Sequence, residues 1–145
     1  MHPESPIGAV RHRAQKVRLY ATAPQTSRLD RQGHTARALW NLLHEWYTCR
    51  EGGIAVHPSV AEIDRQLRTA RTNPLPGWEW LALLSAQATQ QVLRSYLNAW
   101  NRYYNGVSGR PKFKRRTRCI AVDIPQASQL HLVRINHRWG EVAIP

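Results

Sequence analysis

The chain has 145 residues, of which 42% are hydrophobic, so it is long and apolar enough to fold as one domain or as two small lobes. Its net charge of +12 at pH 7 points to a polyanionic partner, for which nucleic acid is the first candidate. The two distant cysteines exclude a disulfide framework and a four-cysteine zinc site. We expect neither a membrane span, because no apolar run approaches ~20 residues, nor a signal peptide. The sequence therefore predicts a cytoplasmic, nucleoid-associated protein that does not enter a membrane.

The chain is expected to begin with a disordered stretch, residues 1–12, followed by a short strand. In the stretch QKVRLY, basic or aromatic residues alternate with apolar ones, which is the period of a half-buried strand. The outward face of this strand would present Lys16, Arg18 and Tyr20, a basic and aromatic surface suited to nucleic acid.

A first long helix is predicted to begin after Thr22, which forms a capping box with Gln25, and to end near Arg50 with Gly52 as its C-terminal cap. Apolar residues then recur at helical spacing. They are Leu29, Ala36, Leu39, Trp40, Leu43, Trp46 and Tyr47.

Two further helices are predicted from the same kind of signal. Ser59 and Glu62 form a second capping box before a short helix whose apolar stripe consists of Val60, Ile63 and Leu67. After the breaker NPLPG and one or two helical turns in WEWLALL, Ser85 caps a longer helix that ends at the Asn-Gly pair of residues 105–106. One face of that helix carries Ala88, Gln91, Val92, Tyr96, Ala99, Trp100 and Tyr103.

Three short strands are predicted in the last third of the chain, in the stretches CIAVDIP, QLHLVRI and GEVAIP. The expected order is therefore strand, helices, basic linker and strands, which is an α+β fold.

Half of the net positive charge lies in residues 105–118, which contain six basic residues and no acidic residue. Six cations without an acid between them repel one another, and the phosphates of a nucleic acid would neutralise their charge and relieve the repulsion. The six are Arg110, Lys112, Lys114, Arg115, Arg116 and Arg118. Phe113 lies among them and either stacks on a nucleobase or holds the loop to the core. The helical aromatics Trp40, Trp46, Tyr96 and Trp100 are expected to form the core instead.

Catalysis by this chain alone is not expected. Two-metal hydrolysis of phosphodiesters needs several converging carboxylates, but the chain has only nine acidic residues, most of them on predicted helix surfaces. The seven histidines form no HxxxH pair, and no Gly-rich phosphate loop is present. The sequence therefore predicts a binding protein without a cofactor.

Four stretches resemble the N-terminal part of TnpB, the transposon-encoded RNA-guided nuclease family related to type V CRISPR effectors. They are RAQKVRLYATAPQ, RALWNLLHE, SAQATQQVLRSYLNAWNRYY and GRPKFK, and they occur in the order and at the spacing of that family. The resemblance covers nearly all of the chain after residue 12.

The resemblance implies two parts with different roles. Residues 13–22 and 109–145 would form a small β-barrel-like wedge domain that binds the guide RNA and transposon-adjacent duplex DNA. Residues 23–108 would form a helical recognition lobe inserted into it, with Gln87, Gln90 and Asn98 as candidates for contacts with adenine edges. Residues 109–118, GRPKFKRRTR, would then be the crossing from lobe to barrel, and we call them the basic segment.

In the family, a RuvC-like nuclease that binds magnesium and a four-cysteine zinc module follow this region, and neither occurs in this sequence. The chain is therefore expected to be the binding half of such a protein, as a fragment, a transposon remnant or a short functional protein, with any nuclease half separate or missing. The alternative is a stand-alone helix-turn-helix regulator that binds duplex DNA. Against it, EGGIAVHP is about twice as long as a helix-turn-helix turn.

Overall fold

A computed structural model describes residues 16–49, 59–116 and 131–143 of the chain. Over these ranges the fold is α+β, as predicted, with three α-helices, one 3-10 helix and a two-stranded antiparallel sheet. None of the described helices combines the length and the apolar character that crossing a bilayer would require.

Helix α1 spans Ala23–Cys49 and begins where the sequence predicts. The Thr22 backbone N–H donates to Gln25 Oε1 at 2.8 Å, which is one half of the predicted capping box. The predicted cap at Gly52 lies outside the described residues. Four residues of the predicted apolar stripe of α1 are buried, namely Ala36, Leu39, Trp40 and Leu43, and the other three, Leu29, Trp46 and Tyr47, are half-buried.

Helix α2 spans Val60–Thr72, and the Ser59 hydroxyl accepts the Glu62 backbone N–H at 3.2 Å, as predicted. Two details differ from the sequence prediction. The Glu62 side chain accepts hydrogen bonds from Arg65 instead of completing the capping box, because an arginine one turn later offers two charged donors. Val60 is 55% exposed, because the first position of α2 lies beyond the edge of the core that buries Ile63.

A 3-10 helix, Glu79–Leu83, connects α2 to helix α3, which spans Ala86–Tyr104. The Ser85 hydroxyl accepts the Ala88 N–H at 3.2 Å and caps α3, as predicted. At the other end, Gly106 adopts a φ of 68°, a conformation that glycine enters without steric cost. This turn directs the chain from α3 into the basic segment.

The core lies between α1 and α3, and α2 and the 3-10 helix close it on the remaining side. The predicted core aromatics are confirmed: Trp40, Tyr96 and Trp100 are buried, and Trp46 is partly buried against them. The Trp40 and Tyr96 rings meet edge to face at a centroid distance of 5.2 Å. The remaining hydrophobic residues of this buried core are Ala36, Leu39, Leu43, Ile63, Leu67, Leu81, Leu84, Ala88 and Leu93.

Strands β1 (His131–Arg134) and β2 (Gly140–Ala143) form an antiparallel hairpin in which Leu132 pairs with Val142. Asn136 shapes the turn, because its Oδ1 accepts the backbone N–H groups of Arg138 and Trp139 at 2.8 and 2.9 Å. These strands confirm the positions predicted in QLHLVRI and GEVAIP. The third predicted strand, in CIAVDIP, lies outside the described residues.

Two expectations about the β part are wrong for the described residues. The sheet has two strands and is not a closed barrel. Residues 16–22 are irregular, and the apolar residues of the predicted strand, Val17 and Leu19, are 71% and 51% exposed. An alternating pattern alone does not make a strand, because a strand exists only with a hydrogen-bonded neighbour and a buried face. The described part of the chain supplies neither to this segment.

Candidate nucleic-acid interface

The described part of the basic segment, residues 109–116, is an irregular stretch whose backbone is hydrogen-bonded to the surface of α1. The Trp40 indole N–H donates to the Lys112 carbonyl at 3.0 Å. The Asn41 side chain makes two bonds to Lys114: its Oδ1 accepts the backbone N–H at 2.8 Å, and its Nδ2 donates to the carbonyl at 3.1 Å. Residues about 70 positions apart in sequence thus fix the path of the segment.

Apolar contacts add to these hydrogen bonds. Pro111 is buried, and the Phe113 ring meets the imidazole of His44 at 82° with centroids 4.6 Å apart. His44 is itself buried, and its Nδ1 lies 3.3 Å from the Tyr96 hydroxyl. Phe113 nevertheless stays 55% exposed, so this contact leaves a large part of its ring open. Base stacking by Phe113 stays a prediction.

The cations of the segment fall into two groups. Lys114 Nζ lies 4.0 Å from the Trp40 ring centroid, and the Arg110 guanidinium lies 5.5 Å from the Trp100 centroid, both within cation–π range. The other described cations, Lys112, Arg115 and Arg116, are exposed and form no ion pair with any described residue. The sixth predicted cation, Arg118, lies outside the described residues.

The predicted binding residues near the N-terminus lie beside the β-hairpin. The Tyr20 and Trp139 rings meet at a centroid distance of 5.4 Å, and the Arg18 guanidinium lies 5.9 Å from the Tyr20 centroid. Lys16 and Tyr20 are exposed. Although the predicted strand is absent here, a basic and aromatic surface is present next to the hairpin.

The three amide residues predicted on the third helix share one face of α3. Gln87, Gln90 and Asn98 follow helical spacing and lie on the side opposite the buried Tyr96. Gln90 and Asn98 are exposed, and Gln87 is half-buried. The three side chains form no hydrogen bond with another described residue, so no neighbouring side chain fixes their orientation. Base contacts by these residues stay a prediction.

Helix α2 offers little free positive charge to DNA. Arg65 and Arg68 form ion pairs with Glu62 and Asp64 on the same helix. The third arginine, Arg71, is half-buried and donates to the Leu84 carbonyl at 2.7 Å. The hydrogen bond from Arg65 holds the pKa of the Glu62 carboxyl below its ordinary value, so this pair is charged at neutral pH. A recognition helix needs free cations and amides for the major groove, but two of the three arginines of α2 are paired with acids and the third is bonded to a backbone carbonyl.

Sequence reasoning missed the residues that position the basic segment. The periodicity of α1 predicts which residues are buried but not which groups they bond to. Trp40 and Asn41 bond to the backbone of residues that lie 72 and 73 positions later in the chain. It also missed the exposed ring of Tyr104, which follows the traced apolar face at the end of α3. The motif RYYNG, aromatic residues before a helix-ending Asn-Gly, is the one local signal that could have indicated it.

Within the described ranges, no group of three or more His, Cys, Asp or Glu side chains is arranged to hold a metal ion. Comparisons of the chain with protein families, with curated proteins and with solved structures found no match. The resemblance to TnpB therefore depends on the sequence stretches that carry it.

Replacing Asn41 by Ala should release the basic segment from α1. Each of the two lost hydrogen bonds contributes about 0.5–1.5 kcal/mol, so we expect the Lys114 amide hydrogen to exchange with solvent about 5- to 150-fold faster in the variant. Hydrogen exchange followed by NMR measures this. Asn101→Ala, an exposed asparagine on α3, is the matched control. An unchanged exchange rate at Lys114 in the Asn41 variant would contradict the assigned contact.

Proposed function

We propose that this chain binds nucleic acid through the basic segment and acts as the guide-RNA- and DNA-binding half of an RNA-guided nuclease of the TnpB type. The observation that carries the proposal is the fixed backbone of residues 112–114, held by Trp40 and Asn41 while neighbouring cations point into solvent. A cationic surface that is ordered before binding loses less conformational entropy when it meets a phosphate backbone.

The charge distribution supports a phosphate ligand in particular. No Asp or Glu occurs between Glu79 and Asp123, so the segment and the helix before it form an acid-free stretch. Lys and Arg in such a surface displace the counterions condensed on nucleic acid, which favours binding without regard to sequence. The aromatic and basic residues around Tyr20 extend the same chemistry to the hairpin.

The resemblance adds the identity of the ligands. In the TnpB family, this region binds structured guide RNA together with duplex DNA. Catalysis belongs to a RuvC-like nuclease that binds magnesium, and a separate four-cysteine module binds zinc. We therefore propose RNA as the principal ligand of this chain, and we expect it to bind without cleaving. The internal pairing of the α2 charges favours this proposal over a helix-turn-helix regulator.

A binding comparison tests the proposal. The chain is titrated into a structured RNA hairpin and a DNA duplex of equal length, both at 50 and 200 mM salt. We expect tighter binding to the RNA and a steep loss of affinity with salt for both ligands. Preference for the duplex would favour a DNA-binding regulator. No binding to either ligand would mean that the basic segment is a solvated surface.

A further inference from the structure

The last turn of α3 presents an aromatic ring to solvent on a rigid support. Tyr104 is 63% exposed, and its ring stacks on that of Trp100 with centroids 5.6 Å apart and an angle of 27° between the planes. Trp100 is only 2% exposed and packs edge to face against Tyr96 in the core. The Tyr104 ring is thus backed by the core and open to solvent over most of its surface.

Positive charge lies near this ring, at Arg110 in the structure and at Arg102 in the chain. Arg102 lies in the same helical turn, and Arg110 holds its guanidinium 5.5 Å from the centroid of Trp100, the ring that supports Tyr104. The basic segment begins five residues after Tyr104, and the acid-free stretch of residues 80–122 includes all of these groups. The part of the chain that carries Tyr104 therefore offers positive charge to a ligand and no acidic residue that would repel a phosphate.

From this arrangement we infer that Tyr104 is a stacking position for an unpaired base of a nucleic acid strand whose phosphates contact the basic segment. The inference rests on the proposed function and adds the kind of nucleotide bound. Stacking accepts any base because every base has a π-face, but a base inside a duplex has both faces covered by its neighbours. An open ring near the basic segment would therefore select single-stranded nucleotides, from RNA or from DNA.

A second exposed aromatic ring lies beside an acidic residue and can be compared with Tyr104. Trp78 is 37% exposed and stacks on Trp80 with centroids 6.2 Å apart, so it is also a supported ring. Its neighbour in the chain is Glu79, whose carboxylate accepts the Gly77 N–H at 3.1 Å. A phosphate backbone would be repelled there. Trp78 is therefore the matched control for Tyr104.

The test measures equilibrium binding by fluorescence anisotropy with four ligands of equal length. They are single-stranded RNA, single-stranded DNA of the same sequence, an abasic phosphodiester strand, and the RNA as a duplex. Three variants are compared with the native chain: Tyr104→Ala, Tyr104→Phe and Trp78→Ala. Thermal melting of each variant shows that the helices remain folded, which the exposure of Tyr104 leads us to expect.

We expect Tyr104→Ala to lower the affinity for single-stranded RNA or DNA by about 5- to 150-fold, the loss expected for one stacked base. Tyr104→Phe keeps the ring and should retain affinity, and Trp78→Ala should bind as the native chain does. For the abasic strand, Tyr104→Ala should change nothing, since no base is present to stack. The salt dependence should be the same in all variants, because no phosphate contact is removed. A larger loss with RNA than with DNA would identify RNA as the source of the stacked base.

Two results would overturn the inference. One is an unchanged affinity of Tyr104→Ala for the single strands. The other is an equal loss of affinity for the abasic strand. In each of these cases salt-dependent RNA binding by the native chain would leave the proposed function standing, whereas failure of the native chain to bind any of the four ligands would overturn both.

Discussion

Replacing Lys112, Arg115 and Arg116 together by Ala is expected to flatten the salt dependence of RNA binding. Each lost phosphate contact lowers the slope of log affinity against log salt by about 0.7–0.9, so three lost contacts lower it by about 2–3. Between 50 and 200 mM salt, the native chain should then lose about 20- to 40-fold more affinity than the variant. Titrations at four salt concentrations measure the slope.

These three cations are chosen because they are exposed and form no ion pair with a described residue. Their removal should therefore change the free energy of unfolding by no more than about 0.5 kcal/mol. Lys114 is left in place, because its ammonium lies over the Trp40 ring and its removal would also disturb a packing contact. A change in RNA binding by the triple variant can therefore be assigned to lost phosphate contacts and not to a loss of folded protein.

A second triple variant controls for total charge. Replacing Arg28, Arg31 and Arg65 by Ala removes an equal number of positive charges, three, from exposed positions on α1 and α2. If the basic segment binds phosphates, this control variant should keep the slope of log affinity against log salt that the native chain shows. Equal slopes in the native chain and in both variants would show that the segment is only a solvated surface, and equal reductions in both variants would show that net charge alone attracts the RNA.

Leu39→Ala is expected to cause the largest loss of stability among the leucines of α1. Leu39 is fully buried, and deleting its side chain leaves a cavity among α1, α3 and the 3-10 helix. Such changes lower the free energy of unfolding by about 2–5 kcal/mol. Since domains of this kind are stable by only about 5–15 kcal/mol, urea denaturation followed by circular dichroism should detect a clear shift of the midpoint.

Leu83→Ala is the matched control, because this leucine in the 3-10 helix is 50% exposed. The same atoms are removed, but water already contacts them, so the change should be within about 0.5 kcal/mol. Similar losses for the two variants would mean that Leu39 does not lie in a packed core between the helices.

The helices and their starting points could be predicted from the sequence. Ser59 and Ser85 lie immediately before α2 and α3, where each hydroxyl accepts a backbone N–H three residues later. The apolar stripe of α1 predicted the buried face that carries Leu39 and Leu43. Capping and amphipathic spacing act within one or two helical turns, so local residues determine them.

The β part could be predicted only in part. The alternation in QLHLVRI and GEVAIP predicted the two strands, but their pairing as a hairpin with a turn at Asn136 became clear only from the structure. The same alternation in residues 16–20 predicted a strand that the structure does not contain. Strand formation there would require a partner from a distant part of the chain, and an alternating pattern does not specify one.

The candidate site shows the same division between local and distant determinants. The sequence by itself determined the concentration of six cations in residues 105–118 and the absence of acidic residues around them, since charge is a property of composition. Only the tertiary structure decided which of these cations are open to solvent, because the Lys114 backbone bonds to Asn41 and the Lys112 carbonyl bonds to Trp40, more than 70 residues earlier. It also decided that Tyr104 is exposed on top of buried Trp100. The exposure of a side chain depends on what the rest of the chain packs against it, and neither helical spacing nor charge specifies that packing.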